Sequence, residues 1–286
     1  MTWFGHRTRT SPQAVPLEAP LVTVGSDASL VTRTRRTIRL VRVLTPREIR
    51  VRYRQSYLDL GWALITPVSV AIVYGIVLTR SFNASGNGVP YLSMAWSGLV
   101  LWTFFANAIG GAATSLVYSS GLVTKVYFPR EALPLAMAGA SLPDLAIGLI
   151  TVFVLVLVQG VTLHWEAVTA VLPLAILVIW TAALSVILGV VSSFVRDVPH
   201  LVQLIIRVGF FATPVMYDAA ALPPALQWSA VVSPIAVSIE GFRDAVLHGR
   251  VPDLPLMTIH LLLGLALLVA AVCYTRAIES RIADVI

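Results

Sequence analysis

Two ionisable side chains, Asp144 and Arg207, stand inside long apolar stretches. A charge at the centre of a bilayer costs about 2.5–3.5 kcal/mol or more, so each needs a reason. They can line a polar pathway or pair with each other; Arg207, near the inner end of its stretch, can also reach back to the headgroups. Catalytic chemistry has thinner support. Ser141 sits in the small-residue run Gly139-Ala140-Ser141, but Leu142 follows it and the best candidate base, His260, stands far away in the sequence. Small residues in such helices serve packing. Cys273 is the only cysteine, which excludes a disulfide framework and a thiolate metal cage. No H-E-x-x-H motif and no G-x-x-x-x-G-K-[ST] phosphate loop occurs, so the chain has no zincin site and does not hydrolyse ATP by that route. Asp218, Glu240, Asp244 and Asp253 form the one acidic cluster, the kind that a metal-dependent membrane enzyme would need.

The setting for these residues is a membrane. Hydrophobic residues make up 57% of the 286, and charged residues only 12%. Soluble domains carry about a quarter charged residues, because their surface faces water. The net charge of +6 is uneven: residues 1–54 hold eleven Arg against three acidic residues, and the rest is slightly acidic. Anionic headgroups and cytoplasmic retention explain a basic head on a membrane protein, and nucleic acid is not expected as a partner.

The spacing predicts an all-α polytopic membrane protein. Residues 1–29, with Pro12, Pro16 and Pro20, read as a tail without fixed structure. Residues 30–58 read as an amphipathic interface helix: Ile38, Val41 and Leu44 share one face, Arg35, Arg39 and Arg42 another, and the pattern restarts after Pro46. Six spans are predicted at 61–79, 91–117, 133–158, 168–194, 201–217 and 254–275. Residues 218–240 carry Pro223-Pro224 and Pro234 within an apolar run too short to cross, which fits a re-entrant gate or a pair of surface helices. Placing the N-terminus inside puts sixteen basic residues on the cytoplasmic side against three outside, Arg80, Arg243 and Arg250. Both termini are then cytoplasmic. Aromatics are dense at Tyr74, Trp96, Trp102, Phe104, Phe105, Phe210, Phe211, Tyr217 and Trp228. Interfacial belts explain many of them, and aromatic faces also bind the C–H faces of sugar rings.

Three stretches resemble one family. PREIRVRYRQSYLDLGWALITPV (46–68) is similar to the cytoplasmic lead-in helix and first span of ABC-2 polysaccharide export permeases. GLVTKVYFPREALPLA (121–136) closely resembles their cytoplasmic loop between the second and third spans. Arg196-Asp197-Val198 and ATPVMYD (212–218) resemble their fourth-to-fifth region. Asp59-Leu60-Gly61 and the extension 1–30 depart from the pattern.

The resemblance implies a channel-forming subunit in the bacterial plasma membrane. Two copies would pair with two copies of a separate ATPase that binds ATP and magnesium, leaving no cofactor on this chain. It implies a coupling loop at 118–132 seated on the ATPase, with Tyr127 and Phe128 as aromatic anchors and Lys125, Arg130 and Glu131 setting charge complementarity. It implies a polyprenyl-diphosphate-linked polysaccharide of O-antigen, teichoic-acid or galactan type as substrate, with Arg50, Arg52 and Arg54 on the diphosphate. Tyr74, Trp96, Trp102, Phe104, Phe105, Phe210, Phe211 and Tyr217 become candidate sugar-contacting surfaces. The Arg-rich, Lys-poor usage suits a high-GC bacterium, with galactan as the expected cargo. The alternatives are an ABC-2 exporter of a drug or small lipid, a membrane enzyme acting on polyprenyl-linked sugars, and a scaffold without transport.

Overall fold

The computed structural model describes residues 30–53, 89–118, 129–223, 225 and 227–279. The first expected span, 61–79, lies outside the described residues. The long regular elements are all helices: α1 Leu30–Tyr53, α2 Tyr91–Tyr118, α3 Ala132–Ala140, α4 Leu142–Val158, α5 Val171–Phe194, α6 Val198–Ala212, α7 Gln227–Val232, α8 Pro234–Val246 and α9 Leu254–Ala277. A short 3-10 turn, Trp165–Ala170, leads into α5, and another, Ala219–Ala221, precedes α7.

Four stretches among the described residues are long and apolar enough to cross a membrane: Tyr91–Tyr118, Ala132–Val158, Trp165–Phe194 and Leu254–Ala277. The second of these is not one rod. The chain breaks between α3 and α4 at Ser141, because Pro143 has no N–H to continue the backbone ladder. The fifth expected span, 201–217, is shorter than expected and shifted. α6 has 15 residues, about 22 Å at 1.5 Å per residue, and stops at Thr213 because Pro214 follows. Pro46, by contrast, does not interrupt α1, which runs as one helix through it. The carbonyl that Pro46 leaves without an intrahelical donor belongs to Arg42, on the exposed side where polar surroundings can satisfy it.

α5 is the centre of the bundle, with α2 and α9 packed along it and α3 and α8 adding further contacts. Backbones approach closely where side chains are small. A Cβ at Gly189 of α5 would lie 2.6 Å from the Pro134 ring of α3 and 3.1 Å from the Ala112 carbonyl of α2. That position therefore joins three helices. α2 is the most enclosed span and α9 the most peripheral. α1 lies outside this bundle and runs along α3.

Candidate functional site

At one end of α3 the chain brings three distant segments together. Glu131, 1% exposed, immediately precedes α3 and accepts a hydrogen bond at 2.9 Å from the Thr37 hydroxyl of α1. The same oxygen pairs with Arg276 Nε of α9 at 2.8 Å, and Arg276 also reaches Thr34 and Thr37 at 3.4–3.5 Å. A carboxylate this deeply buried needs such partners, because leaving water costs more than one contact returns. Arg130 beside it is buried as well. The last residues of the expected coupling loop are thus wedged between the interface helix and the final span. Lys125, Tyr127 and Phe128 lie outside the described residues.

Further along α1, Arg52 pairs with Asp144 of α4 at 3.0 Å and approaches the Ser141 hydroxyl at 3.5 Å. Asp144 therefore meets an arginine of the interface helix rather than Arg207. Arg50 is exposed, and its Nε donates to the Pro46 carbonyl of its own helix. Arg54 lies outside the described residues. Ser141 and His260 belong to different places: His260 Nε2 lies 3.0 Å from the Val231 carbonyl, and the Trp180 indole donates to the His260 carbonyl.

The expected sugar-contacting aromatics divide by exposure. Trp96, Trp102, Phe104 and Phe105 of α2 are buried among helices of this same chain. The Trp96 indole donates to the Thr151 hydroxyl, and Trp102 packs against Phe105 and Phe210 with ring centres 5.4 and 6.1 Å apart. Phe211 at 64% exposed and the half-buried Phe210 and Tyr217 lie towards open surface. Tyr74 lies outside the described residues, and Trp228 is exposed on α7. α6 carries a polar line as well. His200, Gln203, Arg207 and Phe211 fall within about 80° of one another at 100° per residue, and all four are exposed.

One residue escaped sequence reasoning. Arg243 of α8, expected in an outer loop, is 1% exposed. Its guanidinium donates to the carbonyls of Pro214 at 2.9 Å, Tyr217 at 3.1 Å, Met94 at 3.0 Å and Val215, and to Glu240 at 2.9 Å. These five contacts, all from the two terminal nitrogens while the buried Nε has no partner among the described residues, hold α8, the turn after α6 and the start of α2 in one register. Burial pushes the Glu240 carboxyl above its usual range, while Arg243 pulls it back down. Tyr91 adds a bond from its hydroxyl to the Met216 carbonyl at 2.9 Å. Asp218 and Asp253 cap the Ala219–Ala221 turn and α9, and Asp218 and Asp244 lie near enough to Glu240 to disfavour its charge. Among the described residues no three His, Cys, Asp or Glu side chains gather to hold a metal.

Long apolar helices with an amphipathic helix beside them define a multi-pass helical membrane protein. A family model described as ABC-2 type transporter matches residues 39–247, and the chain belongs to that family. It is similar to an O-antigen export system permease protein of Myxococcus xanthus, 28% identical over 219 residues, which are 76% of this chain and 84% of that one. An O-antigen export system permease protein of Klebsiella pneumoniae is 27% identical over 249 residues, covering 86% and 95% of the two chains. A second one from Klebsiella pneumoniae is 24% identical over 251 residues, with the same coverage.

Proposed function

We propose that this chain is the channel-forming subunit of an exporter that moves a polyprenyl-diphosphate-linked polysaccharide out of the cytoplasm, driven by ATP hydrolysis on a separate subunit. The observation that carries this is the near end-to-end similarity to O-antigen export permeases, 95% of the Klebsiella pneumoniae relative's length. Two copies would assemble with two ATPase subunits, six spans per copy and both termini cytoplasmic. A galactan is the cargo we favour.

The coupling surface is the loop 118–132, with Lys125, Tyr127, Phe128, Arg130 and Glu131. Arg130 and Glu131 are buried within this chain, so their part is to fix the end of the loop rather than to face the ATPase: the Glu131–Arg276 pair ties that end to two other segments. Arg50, Arg52 and Arg54 contact the diphosphate; for Arg52 this means exchanging Asp144 for a phosphate. The glycan path runs along the polar line of α6, where Phe211, Phe210 and Tyr217 offer ring faces to sugars. Its charge fits, because an exposed Arg207 costs less facing water and a second copy than facing lipid. The short helices α7 and α8 form the outer gate.

A pull-down of the tagged chain from its native membrane tests the reading. Wild type should bring down a phosphate-loop ATPase, and Tyr127→Ala/Phe128→Ala should recover much less. A well-folded wild-type chain that came down alone in mild detergent, with metal-dependent activity on lipid-linked sugars, would sink the proposal in favour of an enzyme.

A further inference from the structure

Between α1 and the helices behind it lies an apolar groove of about 290 Å³. It exists because Ala138 and Ala182 present only methyl groups where α1 crosses α3 and α5. Phe104, 2% exposed, closes its inner end, and Ile38, 48% exposed, stands at its mouth beside Arg42. A cavity lined this way offers water too few polar partners, so hydrocarbon fills it better.

The charge at the mouth identifies the rest of the occupant. Arg35, Arg39 and Arg42 recur at spacings of four and three along α1, all exposed. Other arginines of this helix have acidic neighbours: Arg47 meets Glu48 at 3.6 Å and Arg52 meets Asp144. Among the described residues no carboxylate lies within ion-pair distance of Arg35, Arg39 or Arg42. Arg42 at the mouth of a hydrocarbon-lined groove, with Arg35 and Arg39 on the adjoining exposed face of α1, suits a phosphate with a chain attached.

We infer that the groove binds an anionic glycerophospholipid, one acyl chain inside against Phe104 and Ala182 and the phosphate on Arg42 with its neighbours. Volume favours this over a polyprenyl chain. On the scale at which a cavity of about 150 Å³ takes one benzene, the groove takes roughly ten carbons, somewhat more than half of an oleoyl chain and a small part of a long isoprenoid. This site is separate from the Arg50, Arg52 and Arg54 surface, and only its assignment to the inner leaflet rests on the proposed orientation.

The test uses the purified full-length chain in detergent, with thermal unfolding followed as lipid is added. Dioleoyl phosphatidylglycerol should raise the midpoint by several degrees over dioleoyl phosphatidylcholine. Arg42→Gln should remove most of that difference, and Ala182→Phe, which fills the groove, should remove it while leaving the midpoint in phosphatidylcholine unchanged. If Ala182→Phe does not fold, Ala138→Leu narrows the same space from the other wall. Equal stabilisation by both lipids, or a phosphatidylglycerol effect that survives groove filling, overturns the inference. So does a groove-dependent shift produced by undecaprenyl phosphate and not by phosphatidylglycerol. None of these readouts needs the ATPase, so the transport proposal can fail without touching this one.

Discussion

At the scale of single residues, the strongest interactions are buried charges whose partners lie far away in the chain. Removing one member of such a pair strands the other. Glu131→Ala should therefore destabilise the protein by about 3–5 kcal/mol, whereas replacing Glu131 and Arg276 together with Gln and Met should recover most of the loss. Denaturant titration in detergent micelles compares the two. Gly98 makes a sharper case. A Cβ there would collide with the Val215 carbonyl and stand 2.5 Å from the Arg243 guanidinium. Gly98→Ala should lose the monodisperse peak in fluorescence-detected size exclusion, because neither a backbone carbonyl nor a five-bonded arginine can step aside. None of this was legible in the sequence. Arg243 binds mainly backbone oxygens, which carry no residue signature, and Glu131 and Arg276 are 145 positions apart. In sequence Arg243 counts as an outer-loop charge, since residues 218–253 follow the fifth expected span and nothing there marks it as buried.

Helices were easier to read than their ends. The apolar and arginine faces of α1 follow from a period of 3.6, and the long spans follow from length and hydropathy. Prolines decided the errors. Pro46 suggested a restart that α1 does not make, while Pro143 and Pro214 ended helices within stretches read as continuous. α6 divides into three sectors around its axis: a buried side with Val198 and Val202, an exposed apolar side with Leu204, Ile205 and Val208, and the polar line between them. If that line faces water, Gln203→Cys and Arg207→Cys should react with a water-soluble maleimide in membranes, and Ile205→Cys should stay unlabelled. The native thiol Cys273 is exposed on α9, so the series belongs in a Cys273→Ala background. Equal labelling of all three positions would remove the distinction between the sectors.

For the whole molecule, the proposed six spans would put both ends of the chain on the cytoplasmic side. A fluorescent protein fused after Ile286 should therefore glow, and a periplasmic phosphatase fused there should stay inactive; the reverse pattern would mean an odd number of crossings. The membrane class and the family were legible because composition and a few loop motifs survive without any contact information. The pathway was not, since Trp96, Trp102, Phe104 and Phe105 look the same in sequence whether they fill a core or face a cargo, and only packing sorts them from Phe211. The clasp around Arg243 also bears on how this fold can be altered. A grip on main-chain oxygens is blind to the identity of the residues that carry them. At the half-buried position 217 the side chain can thus be varied while the grip on its carbonyl holds, whereas Met94 and Val215 fill the core and must keep their volume even though their carbonyls do not care which residue carries them.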